Sequence, residues 1–163
     1  MTKTPTSAPS RLRGDTKPLH TIYLGLGTNL GDKTAHLNKA IQLVDERVGR
    51  VVRQSSFLET APWGFQSANS FLNAVICCET EHTPREVLLL TQQIERDMGR
   101  SKKSTDGGYA DRTIDIDILL YDDLTVDEPD LKIPHPLMCE RDFVMRPLQE
   151  INSSVCDKIC TNL

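Results

Sequence analysis

Arg112-Thr113-Ile114-Asp115-Ile116-Asp117-Ile118-Leu119-Leu120 places two carboxylates in a run that is otherwise apolar. Side chains alternate faces along a strand, so Asp115 and Asp117 share one face while Ile114, Ile116 and Ile118 fill the other. Residues two apart on a strand are separated by roughly 6.5 Å of backbone, which lets two carboxylates converge on one or two hard cations such as Mg2+. The cations would in turn hold phosphates. A half-exposed edge strand with two solvated aspartates has the same pattern, so the surroundings must decide.

Basic residues cluster nearby: Arg100, Lys102, Lys103 and Arg112 before the aspartates, Lys132, His135 and Arg141 after them. Cations gathered around a candidate Mg2+ site have the makings of a polyphosphate site, because Arg and Lys neutralise charge on a transferring phosphoryl group. The formal net charge of the chain is −4, which argues against broad nucleic-acid or anionic-membrane binding and makes any polyanion site local. Trp63 and Phe65 in a Pro/Gly loop, with Phe71 and Phe143, can form a slot for a flat heterocycle, although most aromatics are core. His135 lies between Pro134 and Pro136 in a stiff turn, which suits a fixed hydrogen bond better than a mobile proton shuttle. Gly25 to Gly31 (GLGTNLG) lacks the G-K-[ST] ending of a P-loop and the spacing of the dinucleotide fingerprint. It reads as a tight strand-to-helix connection.

The elements that must position these residues follow from periodicity. Residues 1–20 are rich in Ser, Thr, Pro and basic residues and read as a disordered tail or linker, without the amphipathic stripe of a transit peptide. Residues 21–27 form a short strand, and Asp32 caps a helix with the stripe Leu37, Ile41, Val44, Val48. Strands are expected over 51–59 and 71–80. Thr83-Pro84-Arg85-Glu86 is a capping box opening a helix with the stripe Val87, Leu90, Ile94, Met98. A glycine-containing loop, 101–111, leads to the D-x-D strand, and turns with a short terminal segment follow it. The order is β-α-β-β-α-β, the ferredoxin-like α+β arrangement: an antiparallel sheet with two helices on one face. The domain spans 21–152, with 153–163 as a C-terminal tail. Five cysteines, an odd number without a C-x-x-C pair, are read as free thiols of a reducing compartment. No apolar run reaches membrane-spanning length, and no segment has the form of a secretion signal.

YLGLGTNLGD, SSFLETAPWGFQSANSFLNAV, IERDMGR, DRTIDIDILLY and IPHPLMCERDFVMRPLQEI, in this order, closely resemble the 6-hydroxymethyl-7,8-dihydropterin pyrophosphokinases of folate biosynthesis. That family has a ferredoxin-like fold and moves the pyrophosphoryl unit of ATP onto the hydroxymethyl oxygen of a reduced pterin, releasing AMP. The resemblance implies that Asp115 and Asp117 bind two Mg2+ ions and that Arg100 and Arg112 clamp phosphates, Arg100 from a loop that closes over the nucleotide. It assigns Gln92, Glu95, Lys102, Tyr109, Ile118, Lys132, His135 and Arg141 to the ATP side. Thr60, Ala61, Pro62, Trp63, Phe71, Asn73 and Phe143 match the pterin pocket. The chain departs from the pattern where Ala61 replaces a proline of some members, Phe71 a tyrosine, Lys102 an arginine and Tyr109 a tryptophan. VDEPDLKIPHP resembles forms fused to dihydropteroate synthase, so a stand-alone cytoplasmic enzyme and a module of a longer chain are both expectations. Two other functions share the aspartates: a ferredoxin-like module that binds a nucleotide without turning it over, and a two-metal phosphohydrolase.

Overall fold

The computed structural model describes residues 18–60, 70–100 and 113–161. Strand β1 (His20–Thr28) leads through Gly31, whose φ of 62° a glycine adopts without penalty, into helix α1 (Lys33–Arg47). Asp32 caps α1 by accepting a hydrogen bond from the Ala35 amide at 3.1 Å. Strands β2 (Arg50–Gln54), β3 (Leu58–Thr60) and β4 (Phe71–Thr80) follow, then helix α2 (Pro84–Glu95). The α2 capping box closes as its sequence predicts: the Glu86 amide donates to Thr83 Oγ1 at 3.1 Å and the Thr83 amide to Glu86 Oε1 at 2.9 Å. One π-helical turn, Arg96–Arg100, ends the helix through Gly99 at φ 109°. Strand β5 (Asp115–Tyr121) carries the aspartates, and a small hairpin, β6 (Val126–Glu128) and β7 (Leu131–Ile133), comes after it.

The main sheet runs β2-β4-β1-β5, with β3 also on β4 and every pairing antiparallel. This is the expected ferredoxin-like order. The strand expected over 51–59 is broken in two. At the break Ser55 substitutes for ladder pairing: its amide donates to Val75 O at 3.0 Å, and its Oγ accepts from the Val75 amide at the same distance. Ser56 turns outward to Glu150 with its amide at 3.0 Å and its hydroxyl at 2.8 Å.

Glu150 belongs to helix α3 (Asp142–Ile151), which with α4 (Ser153–Thr161) alters the expected architecture. Among the described residues, two helices on one face become four, two on each. On one face Leu24, Leu26, Ile76, Ile116 and Ile118 pack under α1 and α2 with Leu37, Val44, Val87 and Ile94. On the other, Tyr23, Val75, Cys77, Leu119 and Leu120 pack against Val144, Leu148 and Cys156 of α3 and α4. The segment read as a tail from residue 153 is thus a helix with Cys156 buried. Its polar composition hides this because only one narrow stripe, Val155, Cys156 and Ile159, is covered.

The free-thiol expectation also needs correction. Cys139 and Cys160 form a disulfide, with Cα atoms 6.1 Å apart, while Cys77, Cys78 and Cys156 are free and buried. The bond ties α4 to a 3-10 turn, Met138–Glu140, and only the return of α4 across that turn brings the two cysteines together. Among the described residues no helix is long and apolar enough to cross a membrane.

Candidate active site

On β5, Ile116 and Ile118 point into the core under α1 and α2, so Asp115 and Asp117 emerge half-buried on the opposite face. A bulge between Tyr23 and Leu24 of β1 then lets Leu119 and Leu120 both join the core under α3 and α4. Across the sheet, Asp115 is opposite Gly27 and Asp117 opposite Gly25, and on the far side of β1 Gly27 is opposite Asn73. Asp115, Gly27 and Asn73 therefore form one row of three strands, about 10 Å wide at roughly 4.8 Å per strand. Gly27 leaves the middle of that row without a side chain, and Gly25 does the same for the next row, between Asp117 and Val75. They stand inside β1, as the strand expected over 21–27 requires; the connection to α1 takes up only the end of GLGTNLG, where Gly31 turns the chain.

The floor is tight. A Cβ on Gly27 would sit 2.9 Å from Asn73 Oδ1 and 3.8 Å from Phe71 Cδ1. Asn73, 5% exposed, is held by its Nδ2, which donates to Thr60 Oγ1 at 2.9 Å and to Leu58 O at 3.4 Å. Its amide oxygen is thereby turned toward Gly27. Phe71 lies on the same face two residues earlier, opposite Thr60, and belongs to neither apolar core. A polar amide edge beside an aromatic on a flat floor is a slot suited to a planar heterocycle with hydrogen-bonding edges.

At the rim the chain after β7 brings in His135 and Arg141. The His135 amide donates to Leu119 O at 3.0 Å, which docks the turn on β5. The Leu137 amide donates to His135 Nδ1 at 3.2 Å, so in the neutral ring the proton sits on Nε2. Burial and then the Arg141 guanidinium push the His135 pKa below the ordinary histidine value, while Asp115 pulls it upward. Asp115, His135 and Arg141 are thus electrostatic neighbours. Arg141 also stacks its guanidinium on the Phe143 ring, 5.6 Å from the centroid, at the start of α3.

Other residues expected on the ATP side lie elsewhere. Ile118 is 6% exposed and buried under α1 and α2, so only its backbone on the sheet edge is open to a ligand. Glu95, 8% exposed, accepts the Ile116 amide at 2.7 Å and so braces the residue between the two aspartates. Half-buried Gln92 precedes it by three residues on α2. Lys132 pairs with Asp127 on the exposed side of the β6–β7 hairpin, whose Leu131 and Ile133 point into the core. Ala61, Pro62, Trp63, Lys102, Tyr109 and Arg112, with the side chain of Arg100 and the 101–111 loop, lie outside the described residues. The sequence reading missed Gly25 and Gly27 as floor residues. Their period-2 spacing inside an apolar run was the available signal.

Fold and face together define a ferredoxin-like α+β protein with Asp115, Asp117 and the Asn73 amide on one face of its sheet. Residues 23–153 match the family of 7,8-dihydro-6-hydroxymethylpterin-pyrophosphokinases (HPPK). Among curated relatives, the 2-amino-4-hydroxy-6-hydroxymethyldihydropteridine pyrophosphokinase of Porphyromonas gingivalis is 49% identical over 131 residues, 80% of this chain and 89% of that protein. That of Aquifex aeolicus is 40% identical over 139 residues, 85% of this chain and 84% of that one. The folic acid synthesis protein FOL1 of Dictyostelium discoideum is 38% identical over 131 residues, which make up 19% of its length. The crystal structure of Plasmodium falciparum HPPK-DHPS with SDX-DHP superposes with a TM-score of 0.68 at 16% identity, over 84% of this chain and 41% of that one. The chain belongs to the HPPK family. It is a pyrophosphokinase, transferring pyrophosphate from ATP to 6-hydroxymethyl-7,8-dihydropterin in folate biosynthesis.

Proposed function

We propose that transfer takes place over the Asp115–Gly27–Asn73 row, with the pterin in the slot and the ATP phosphates above the aspartates. The observation that carries this reading is the shared register: the carboxylates and the Asn73 amide project from one face, separated only by the glycine floor. Two carboxylates are the donor set Mg2+ takes when phosphates and waters complete its shell, so Asp115 and Asp117 would hold two such ions. Bound there, Mg2+ would supply Lewis-acid activation of the pterin hydroxyl and neutralise charge at the attacked phosphorus.

The chain's own groups do the rest. Asn73 reads the polar edge of the heterocycle, and Phe71, Phe143 and Trp63 supply aromatic contact, with Thr60, Ala61 and Pro62 completing the slot. Arg141, Arg100 and Arg112 neutralise phosphate charge, with Lys102 in support. His135 donates through Nε2 in its neutral form. The nucleotide passes around the edge of β5, so that the Ile118 backbone, Gln92, Glu95, Tyr109 and Lys132 meet its base and ribose side. Residues 21–152 form the catalytic unit, working in the cytoplasm where ATP is supplied, alone or beside a second folate enzyme.

The assay incubates the protein with Mg-ATP and 6-hydroxymethyl-7,8-dihydropterin. AMP and pterin pyrophosphate are expected in equal amounts. Orthophosphate release without a pterin would favour a phosphohydrolase, and saturable ATP binding without AMP a non-catalytic module.

A further inference from the structure

β3 is three residues long, yet it supplies Thr60 and the Leu58 carbonyl that hold Asn73. So short a strand has few ladder bonds with which to fix its own position. A side-chain cluster outside the slot supplies what the ladder lacks. Lys33, the first residue of α1, donates from Nζ to Ser70 O and Ser70 Oγ, both at 3.1 Å, and lies 3.6 Å from Glu59 Oε2. The Ser70 hydroxyl in turn donates to Glu59 Oε2 at 2.5 Å. The ammonium thus makes two hydrogen bonds to Ser70 and an ion pair with Glu59, and Glu59 sits between Leu58 and Thr60 while Ser70 immediately precedes Phe71.

Helix stability does not account for this lysine, because a cation in the first turn opposes the helix dipole. Its side chain is nevertheless drawn in to 26% exposure. The Glu59 carboxyl is held below the usual carboxylate range by the Ser70 hydroxyl and then by Lys33, as expected of a carboxylate engaged by both.

We propose that Lys33 is a positioning residue for the pterin slot: by bridging Ser70 and Glu59 it ties α1 to β3 and to the start of β4, and so sets the separation at which Thr60 and Asn73 meet. It governs pterin affinity and leaves ATP affinity alone. The inference rests on the reading that Thr60, Phe71 and Asn73 hold the pterin.

The test uses the full chain with Lys33→Met, Lys33→Arg, Glu59→Gln and the Lys33→Met/Glu59→Gln double variant. Calorimetry measures the Kd of 6-hydroxymethylpterin and of a non-hydrolysable Mg-ATP analogue, and thermal melting monitors the fold. Lys33→Met is expected to weaken pterin binding about tenfold, with ATP affinity within about twofold and the Tm nearly unchanged. Lys33→Arg should recover most of the loss, and Glu59→Gln should add little once Lys33 is gone. An unchanged pterin Kd, or equal loss for both ligands together with a fall in Tm, would overturn the assignment. Asn73→Ala, measured alongside, separates the two layers of argument. If it weakens pterin binding while Lys33→Met does not, only the positioning role falls; if it too leaves the pterin Kd unchanged, the slot fails and the positioning role with it.

Discussion

Gly27→Ala is the sharpest perturbation this site offers, because a single methyl group meets the most constrained polar atom on the floor. The new Cβ would lie 2.9 Å from Asn73 Oδ1, closer than real Cβ contacts allow, so the amide must retreat by several tenths of an ångström. It cannot do so freely, since Nδ2 is bonded to Thr60 Oγ1 at 2.9 Å. Weakening that bond costs about 0.5 to 1.5 kcal/mol, and overpacking about 1 to 3 kcal/mol. Reduced unfolded-state entropy returns about 0.4 to 1 kcal/mol, leaving a net destabilisation of about 1 to 3 kcal/mol. Pterin binding suffers separately. The methyl fills the floor while the amide is turned from the heterocycle edge, a loss of about 2 to 3 kcal/mol, or about 30- to 150-fold in Kd. Calorimetry with 6-hydroxymethylpterin reads this directly, and the Mg-ATP analogue should bind nearly as before. Gly25→Ala is the internal control: the three atoms nearest its Cβ would be Leu119 carbons, the closest at 3.5 Å, an ordinary contact. Its effect on stability should stay within about 1 kcal/mol. If Gly27→Ala bound pterin within about threefold of the parent, the floor would not be where the heterocycle lies.

Asp117→Asn should lower kcat by more than about 100-fold with the melting curve intact, because an amide offers Mg2+ one neutral oxygen in place of a charged one; near-parental turnover at low Mg2+ would remove the metal role. Glu95→Ala strands the Ile116 amide and should cost about 1.5 to 3 kcal/mol in denaturant unfolding, with turnover falling further than stability because the backbone between the aspartates is unbraced. Reducing Cys139–Cys160, or Cys160→Ser, should destabilise by about 3 kcal/mol on the chain-entropy estimate for a separation of 21 residues; a Tm indifferent to reductant would mean the tether constrains little. His135 should titrate below the ordinary histidine value by NMR, lower still in Asp115→Asn and higher in Arg141→Ala. Because its folded pKa is depressed, the unfolded chain binds the proton first, so its contribution to stability is complete above the unfolded value of about 6.5 and is lost as pH falls through the window below it. A His135 pKa unaffected by both variants would separate it from the aspartate rim.

Features set by neighbours in the chain were legible without coordinates. The Thr83–Glu86 capping box and the Asp32 cap depend on residues three apart, and both form as the spacing requires. The alternation of Ile114 to Ile118 determined that Asp115 and Asp117 share a face, since a strand allows no other arrangement. It also implied that Ile118 points away from them. The β-α-β-β-α-β order followed from periodicity, and the family from the order of its motifs.

What escaped depends on contacts across many residues. That Gly27 faces both Asp115 and Asn73 is a matter of register, 88 and 46 positions away in the chain, and no local pattern specifies which strand will lie on either side of a glycine. The break between β2 and β3 is made where Glu150 reaches Ser56, and the Cys139–Cys160 bond by the return of α4. Lys33 looks like any solvated residue of a helix start until Ser70, 37 positions on, is seen beneath it. Composition and spacing therefore determined which residues can do chemistry and which way each points from its own element; only tertiary packing decided which of them meet, because pairing register and layer stacking are settled by burial summed over the whole chain.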